Sequence, residues 1–160
     1  MSRIVAGLVA GMCMLTSSAF AQPPAQTPAL PMPQASAAPA ARVFGSDTGL
    51  VLNFIKADKT GDFEAIVAKV KEALQKSANP QRRQQAASWR VFKSPDPAAG
   101  GAVLYVFIVE PVVKGADYTV SAILAEAFPD ELAALYKTYS ESYSSGQNFV
   151  NLALVTDLAK

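Results

Sequence analysis

The stretch AVLYVFIV, Ala102–Val109, contains no polar group except the hydroxyl of Tyr105. Successive side chains of a β-strand point to opposite faces of its sheet. A sheet with one face in water normally alternates apolar and polar residues, and this strand does not. We therefore predict a strand whose sheet is covered on both faces, one face bearing Val103, Tyr105, Phe107 and Val109 and the other Ala102, Leu104, Val106 and Ile108.

The segments around this strand predict the element order β-α-β-β-α-β. Further strands are indicated at GLVLNFIKA (Gly49–Ala57), SWRVFKS (Ser88–Ser94) and QNFVNLALV (Gln147–Val155). Apolar residues recur at helical spacing in TGDFEAIVAKVKEALQKS and in DYTVSAILAEAFPDELAALYKTYSESY, where Pro129 interrupts the pattern. We predict an α+β, ferredoxin-like fold, in which a four-stranded antiparallel sheet carries two helices on one face and the second helix is broken near Pro129.

The N-terminal region is typical of an exported protein. Residues 1–21 read as a signal peptide, with Arg3 before a short apolar run and Ala19-Phe20-Ala21 at the cleavage point. The run is shorter than the 20 or so residues of a membrane span, so no span is predicted. Residues 22–45 are predicted to be a disordered linker rich in proline and alanine, and residues 46–160 to be the folded domain. We expect a periplasmic or secreted protein.

Composition excludes several kinds of chemistry. The chain has no histidine, and its single cysteine, Cys13, lies in the predicted signal peptide. Imidazole bases, thiolate nucleophiles and the usual zinc sites are therefore excluded, and we predict no catalytic residue, metal or cofactor. DKTGD (Asp58–Asp62) lacks the spacing of a calcium loop. Removing Arg3 leaves equal numbers of basic and acidic residues, which argues against a nucleic-acid partner.

The second apolar face of the sheet indicates that the domain associates with a partner. The helices of one chain can cover only one face of a four-stranded sheet, and a large exposed apolar patch favours association. A second copy related by a two-fold axis covers both faces at once. We therefore expect a homodimer that forms through the sheet face.

At this point the chain resembles the dimeric α/β-barrel superfamily, which includes antibiotic-biosynthesis-monooxygenase-like proteins. The resemblance spans Gly49–Leu158 and lies in the element order, in DFEAIVAKVKEAL as the first helix, and in the apolar third strand. It implies a ferredoxin-like fold and a dimer. It implies no single activity, because the members include cofactor-free oxygenases, haem-degrading enzymes, isomerases and binding proteins.

Two groups of side chains are candidates for a site. Aromatic residues with a polar handle could line a cavity between sheet and helices, although they could equally fill the core: Trp89, Tyr105, Tyr118, Tyr139 and Asn151. The one basic cluster could bind an anion or could be an ordinary solvated loop: Arg82, Arg83 and Arg90.

These observations favour a non-enzymatic homodimer that binds a small apolar or aromatic ligand or acts as an interaction module. Two alternatives stay open. One is a cofactor-free, monooxygenase-like enzyme in which a Tyr or Asn dipole polarises a phenolic or quinone substrate. The other is a structural protein of the cell envelope, tethered by the proline-rich linker.

Overall fold

The computed structural model describes residues 41–159. The predicted signal peptide, residues 1–21, and most of the predicted linker, residues 22–45, lie outside the described residues. In the described part, four strands form one sheet in the order β2-β3-β1-β4, and every neighbouring pair is antiparallel. The strands are β1 (Thr48–Ile55), β2 (Trp89–Pro97), β3 (Val103–Val109) and β4 (Tyr143–Leu152).

Four α-helices join these strands, two between β1 and β2 and two between β3 and β4. They are α1 (Thr60–Lys76), α2 (Pro80–Ser88), α3 (Val120–Ala127) and α4 (Leu132–Ser142). The break between α3 and α4 contains Pro129, as predicted, because proline cannot continue the hydrogen-bond ladder of a helix. The predicted α+β, ferredoxin-like arrangement is confirmed.

The helices cover one face of the sheet. On β1 and β3, buried residues alternate with half-buried ones. The apolar stripe of α1 packs against the buried set, as its helical spacing predicts. The core formed in this way includes Val51, Ile55, Phe107 and Val109 from the sheet and Phe63, Ile66, Val70 and Leu74 from α1.

Helix α2 was not predicted, since its sequence PQRRQQAAS has no apolar stripe. Asn79-Pro80 follows the apolar stripe of the preceding helix, and such a pair is typical of a helix end. The structure shows that the pair also starts the next helix, because the side chain of Asn79 accepts a 2.9 Å hydrogen bond from the backbone N–H of Gln81, and Pro80 takes the first helical position.

Strand β4 begins earlier and ends earlier than predicted. Tyr139 and Tyr143 have helical spacing, which predicts that the last helix continues through Tyr143. Instead α4 ends at Ser142 and β4 begins at the next residue, with Lys56 donating a 2.9 Å backbone hydrogen bond to the carbonyl of Ser142. Residues 153–159, after Leu152, belong to no helix or strand.

The other face of the sheet, which we name the open face, is apolar along both central strands. Its residues on β1 and β3 are half-buried, and apolar residues of the edge strands extend the patch. Phe92 on β2 is 49% exposed and Leu152 on β4 is 38% exposed. The apolar residues of the open face are Leu50, Leu52, Phe54, Phe92, Leu104, Val106, Ile108, Val150 and Leu152, and Thr48, Arg90 and Asn148 lie on the same face.

The segment before β1 packs onto the domain. Phe44, which falls within the predicted linker, is 1% exposed and stacks on Phe149 with ring centroids 4.0 Å apart. Gly49 makes room for it, because a Cβ added at Gly49 would lie 2.3 Å from the Phe44 ring. The backbone N–H of Arg42 also donates to the Asp117 carboxylate at 2.9 Å. The packed core therefore includes residues upstream of position 46.

Candidate functional site

A cleft of about 360 Å³ separates α1 from the β2 side of the sheet. Helix α1 supplies one wall because its turns bring every third or fourth residue to the same side. Strands β2 and β3 supply the floor, and single residues of α2, α3 and α4 close the ends. The lining is mainly apolar: Ile66, Val67, Val70, Leu74, Ala86, Trp89, Val91, Phe107 and Val120, together with Lys71, Gln75 and Tyr139.

Trp89 lines the cleft and carries a buried donor without a partner among residues 41–159. Its ring packs edge-on against Phe107 at 5.6 Å and against Tyr118 at 5.4 Å. Because the indole nitrogen is shielded from solvent, Trp89 offers a ligand in the cleft its ring and not its N–H. Trp89 and Tyr139 are the predicted site residues that line the cleft.

Tyr139 lines the same cleft and belongs to a buried polar network, which we name the amide–tyrosine network. Its members are Asn53, Tyr139, Tyr143 and Gln147. The Tyr143 hydroxyl donates to Asn53 Oδ1 at 3.0 Å and lies 2.8 Å from the Tyr139 hydroxyl. Gln147 Nε2 lies 2.7 Å from Asn53 Oδ1 and from both hydroxyl groups. The network joins α4, β4 and β1.

Burial raises the pKa of both tyrosines in this network. For Tyr139, desolvation is the largest cause, and hydrogen bonds from Tyr143 and Gln147 oppose it. For Tyr143, desolvation and the neighbouring Tyr139 act in the same direction. Both hydroxyl groups are therefore neutral at physiological pH, and they can act as dipoles but not as bases.

Tyr105 and Tyr118 do not line the cleft. The Tyr105 hydroxyl donates to the Glu64 carboxylate, which also binds Lys93, and these two contacts lower the pKa of Glu64. The Tyr118 hydroxyl accepts a 2.9 Å hydrogen bond from the backbone N–H of Val113. Both tyrosines are nearly fully buried, as expected of residues that fill the core.

Asn151 lies at the exposed end of β4, away from the cleft. Its side-chain oxygen accepts hydrogen bonds from the backbone N–H of Gly45 at 2.8 Å and from the Ser46 hydroxyl at 3.3 Å. Asn151 therefore fixes the segment that leads into β1.

The three arginines predicted to bind an anion do not share one site. Arg82 forms an ion pair with Glu126 at 2.9 Å and donates to the carbonyl of Asp117 at 2.6 Å. Arg83 donates to the carbonyls of Ser77 and Ala78, at the end of α1. Arg90 projects from the open face, opposite Ile108, and lies 3.7 Å from Glu110. Anion binding by these residues stays a prediction.

Trp89 and Arg90 are consecutive residues of β2 and lie on opposite faces of the sheet, as the alternation of a strand predicts. Trp89 is paired with Val109 on the helix face, and Arg90 is paired with Ile108 on the open face. Only the first of them can therefore line the cleft.

Two further properties concern residues 41–159. No group of three or more carboxylate, thiol or imidazole side chains is arranged there to hold a metal ion. No helix in this part is both long and apolar enough to cross a membrane.

Sequence reasoning missed the polar side chains that matter most at the cleft and in the network: Asn53, Lys71, Gln75, Tyr143 and Gln147. One of them left a signal. Asn53 falls on the same face of β1 as Val51 and Ile55, and an amide among core residues needs buried partners. The partners themselves lie 90 and 94 positions away, so the sequence alone did not identify them.

Comparison of the chain with protein-family models, with curated proteins and with solved structures finds no match. The fold and the cleft are therefore interpreted from their own geometry.

Proposed function

We propose that this domain is a non-enzymatic binding protein for a small apolar or aromatic ligand, which occupies the cleft between α1 and the β2 side of the sheet. The observation that carries the proposal is the apolar cleft of about 360 Å³, which has Trp89 and Phe107 among its lining residues. Sites for small molecules are typically clefts of this size, lined by apolar side chains and a few placed polar groups.

The arrangement of Tyr139 supports binding more than catalysis. A monooxygenase-like enzyme would need a polar side chain aimed at its substrate. Tyr139 lines the cleft, but its hydroxyl is already engaged by Tyr143 and Gln147.

Calorimetric titration of the purified domain with naphthalene, naphthol and octanol tests the proposal. We expect saturable binding and a melting temperature that rises with ligand concentration, because a ligand that binds only the folded state stabilises it by mass action. Val67→Phe narrows the cleft and should abolish binding, whereas Ala87→Phe, on the exposed side of α2, should not. Absence of binding to all three ligands, or equal binding by both variants, would overturn the proposal.

We propose further that two copies associate through the open face. Its support is the apolar character of both central strands on the side opposite the helices. Where one side of an antiparallel sheet is solvated, polar residues normally occupy it. A second sheet packed against it would bury these residues and remove the exposed patch.

Sedimentation equilibrium at micromolar concentration tests the homodimer. We expect a dimer for the unchanged domain and a monomer for Val106→Lys, because this substitution places a charge at the centre of the open face. Ala87→Lys adds the same charge on α2 and should leave the dimer intact. A folded monomer of the unchanged domain at this concentration would refute the dimer.

We also propose that the protein is exported and acts in the periplasm or outside the cell. Its support is the signal-like sequence of residues 1–21. Mass spectrometry of protein from its own host should find an N-terminus at Gln22, and an intact Met1 would contradict export.

A further inference from the structure

Two polar side chains at the cleft have no partner among residues 41–159. Lys71 and Gln75 are four positions apart on α1 and both line the cleft. Neither forms a hydrogen bond or an ion pair with any residue in the part of the chain that the structure describes. The nearby lysines of the same helix differ, because Lys69 pairs with Glu131 and Lys76 pairs with Glu72.

The free polar groups of the cleft are rich in donors. The cleft lining contains Lys71 but no acidic residue, so its net charge is positive. The ammonium group of Lys71 and the side-chain amide of Gln75 are available to an acceptor. A carboxylate is the functional group that suits this set, since it is negative and accepts hydrogen bonds without donating any.

We propose that the ligand is a monocarboxylate with an apolar body. The body lies along Val67 and Val70 of α1 and over Phe107, and the carboxylate lies at Lys71 and Gln75. This inference rests on the proposed function of the cleft as a binding site and adds the chemical class of its ligand. An amine of the same length is disfavoured, because Lys71 would repel it.

Matched ligands of one chain length test this inference. Octanoate, octanol and octylammonium are titrated below their micellar concentrations, with calorimetry and the fluorescence of Trp89, the chain's only tryptophan, as readouts. We expect octanoate to bind about two- to fivefold more tightly than octanol, which is the contribution of a partly exposed ion pair. Octylammonium should bind most weakly, and high salt should reduce the advantage of octanoate.

A substitution of Lys71 separates the contribution of its charge to binding from that of the apolar cleft. Lys71→Gln should remove the advantage of octanoate over octanol, because Lys71 carries the only charge in the cleft lining. Lys76→Gln removes the same charge from α1 outside this cleft and should keep the advantage. Circular dichroism verifies that both variants fold.

The possible failures are distinguishable. Equal affinity of the unchanged domain for octanoate and octanol, tighter binding of octylammonium, or an undiminished advantage of octanoate in Lys71→Gln would overturn the carboxylate inference while the binding function stands. Absence of heat and of any change in Trp89 fluorescence with all three ligands would overturn both.

Discussion

Replacing Asn53 by leucine tests the amide–tyrosine network most directly. Asn53 is fully buried, and its Oδ1 accepts from Tyr143 and Gln147 at 3.0 and 2.7 Å. Its Nδ2 donates to the carbonyls of Val51 and Tyr105 at 3.3 and 3.2 Å. Asn53→Leu keeps the branch at Cγ but removes the acceptor, so two donors from β4 lose their common partner inside the domain.

The expected cost follows from those two donors. A buried donor without a partner costs about 1–3 kcal/mol, so two could cost up to about 6 kcal/mol. Both have an alternative, because the Tyr139 hydroxyl lies 2.8 Å from that of Tyr143 and 2.7 Å from Gln147 Nε2. We therefore expect the free energy of unfolding to fall by about 2–4 kcal/mol, which is a large part of the 5–15 kcal/mol typical of a domain.

Urea denaturation followed by far-ultraviolet circular dichroism and by Trp89 fluorescence measures this loss. Gln84→Leu, which removes an exposed amide from α2, should change the free energy by less than about 0.5 kcal/mol. In the double variant with Gln147→Leu, the combined loss should be smaller than the sum of the two single losses by at least about 0.5 kcal/mol. A loss below about 1 kcal/mol for Asn53→Leu, or strict additivity, would refute the reasoning.

Three further perturbations address the segment before β1. Phe44→Ala should lower the free energy of unfolding by about 3–5 kcal/mol, the usual cost of removing a buried ring, and a loss under 1 kcal/mol in urea denaturation would contradict its place in the core. Gly49→Ala should lower the free energy of unfolding by about 1–3 kcal/mol, because its Cβ would clash with the Phe44 ring. In the double variant, Phe44→Leu should recover part of that loss, and additive effects of the two substitutions would exclude the contact. The pKa of Asp117 is net lowered, because hydrogen bonds from Thr119 and from the backbone of Arg42 outweigh burial, its largest single influence. The contribution of Asp117 to stability is complete above the ordinary pKa of about 3.9 and is lost as the pH falls through the lowered pKa of the folded state. Between pH 7 and pH 2, the unfolding midpoint of Asp117→Asn should therefore fall less steeply than that of the unchanged protein. Parallel pH profiles of the two proteins would contradict this.

The order of the elements could be predicted because each main element has its own periodicity. The stripe of α1 and the two apolar faces of β3 are local patterns, and the structure confirms both. Where local pattern and tertiary context disagree, the prediction was wrong. Tyr143 continues a helical stripe in the sequence, but its hydroxyl binds Asn53 on β1, and the chain turns into a strand at that residue.

The cleft could be predicted only in part. Trp89 and Tyr139 are aromatic residues at the boundary between sheet and helices, and the sequence indicates them for that reason. Lys71 carries no such signal, because a lysine on the polar side of a helix reads as an ordinary solvated charge. That it lacks a partner depends on where every acidic residue lies in space, and no sequence pattern contains this information.

The hydrogen bond from Gly45 to Asn151 places the two ends of the domain next to each other. Its length of 2.8 Å joins residues that are 106 positions apart. When the ends of a folded domain lie this close, they can be joined and the chain can be opened at another exposed position. A circular permutant that links Leu152 to Arg42 through a short peptide and opens at the exposed turn of Gly100 and Gly101 should keep all four strands, and its new ends would leave from the tip of the β2–β3 hairpin.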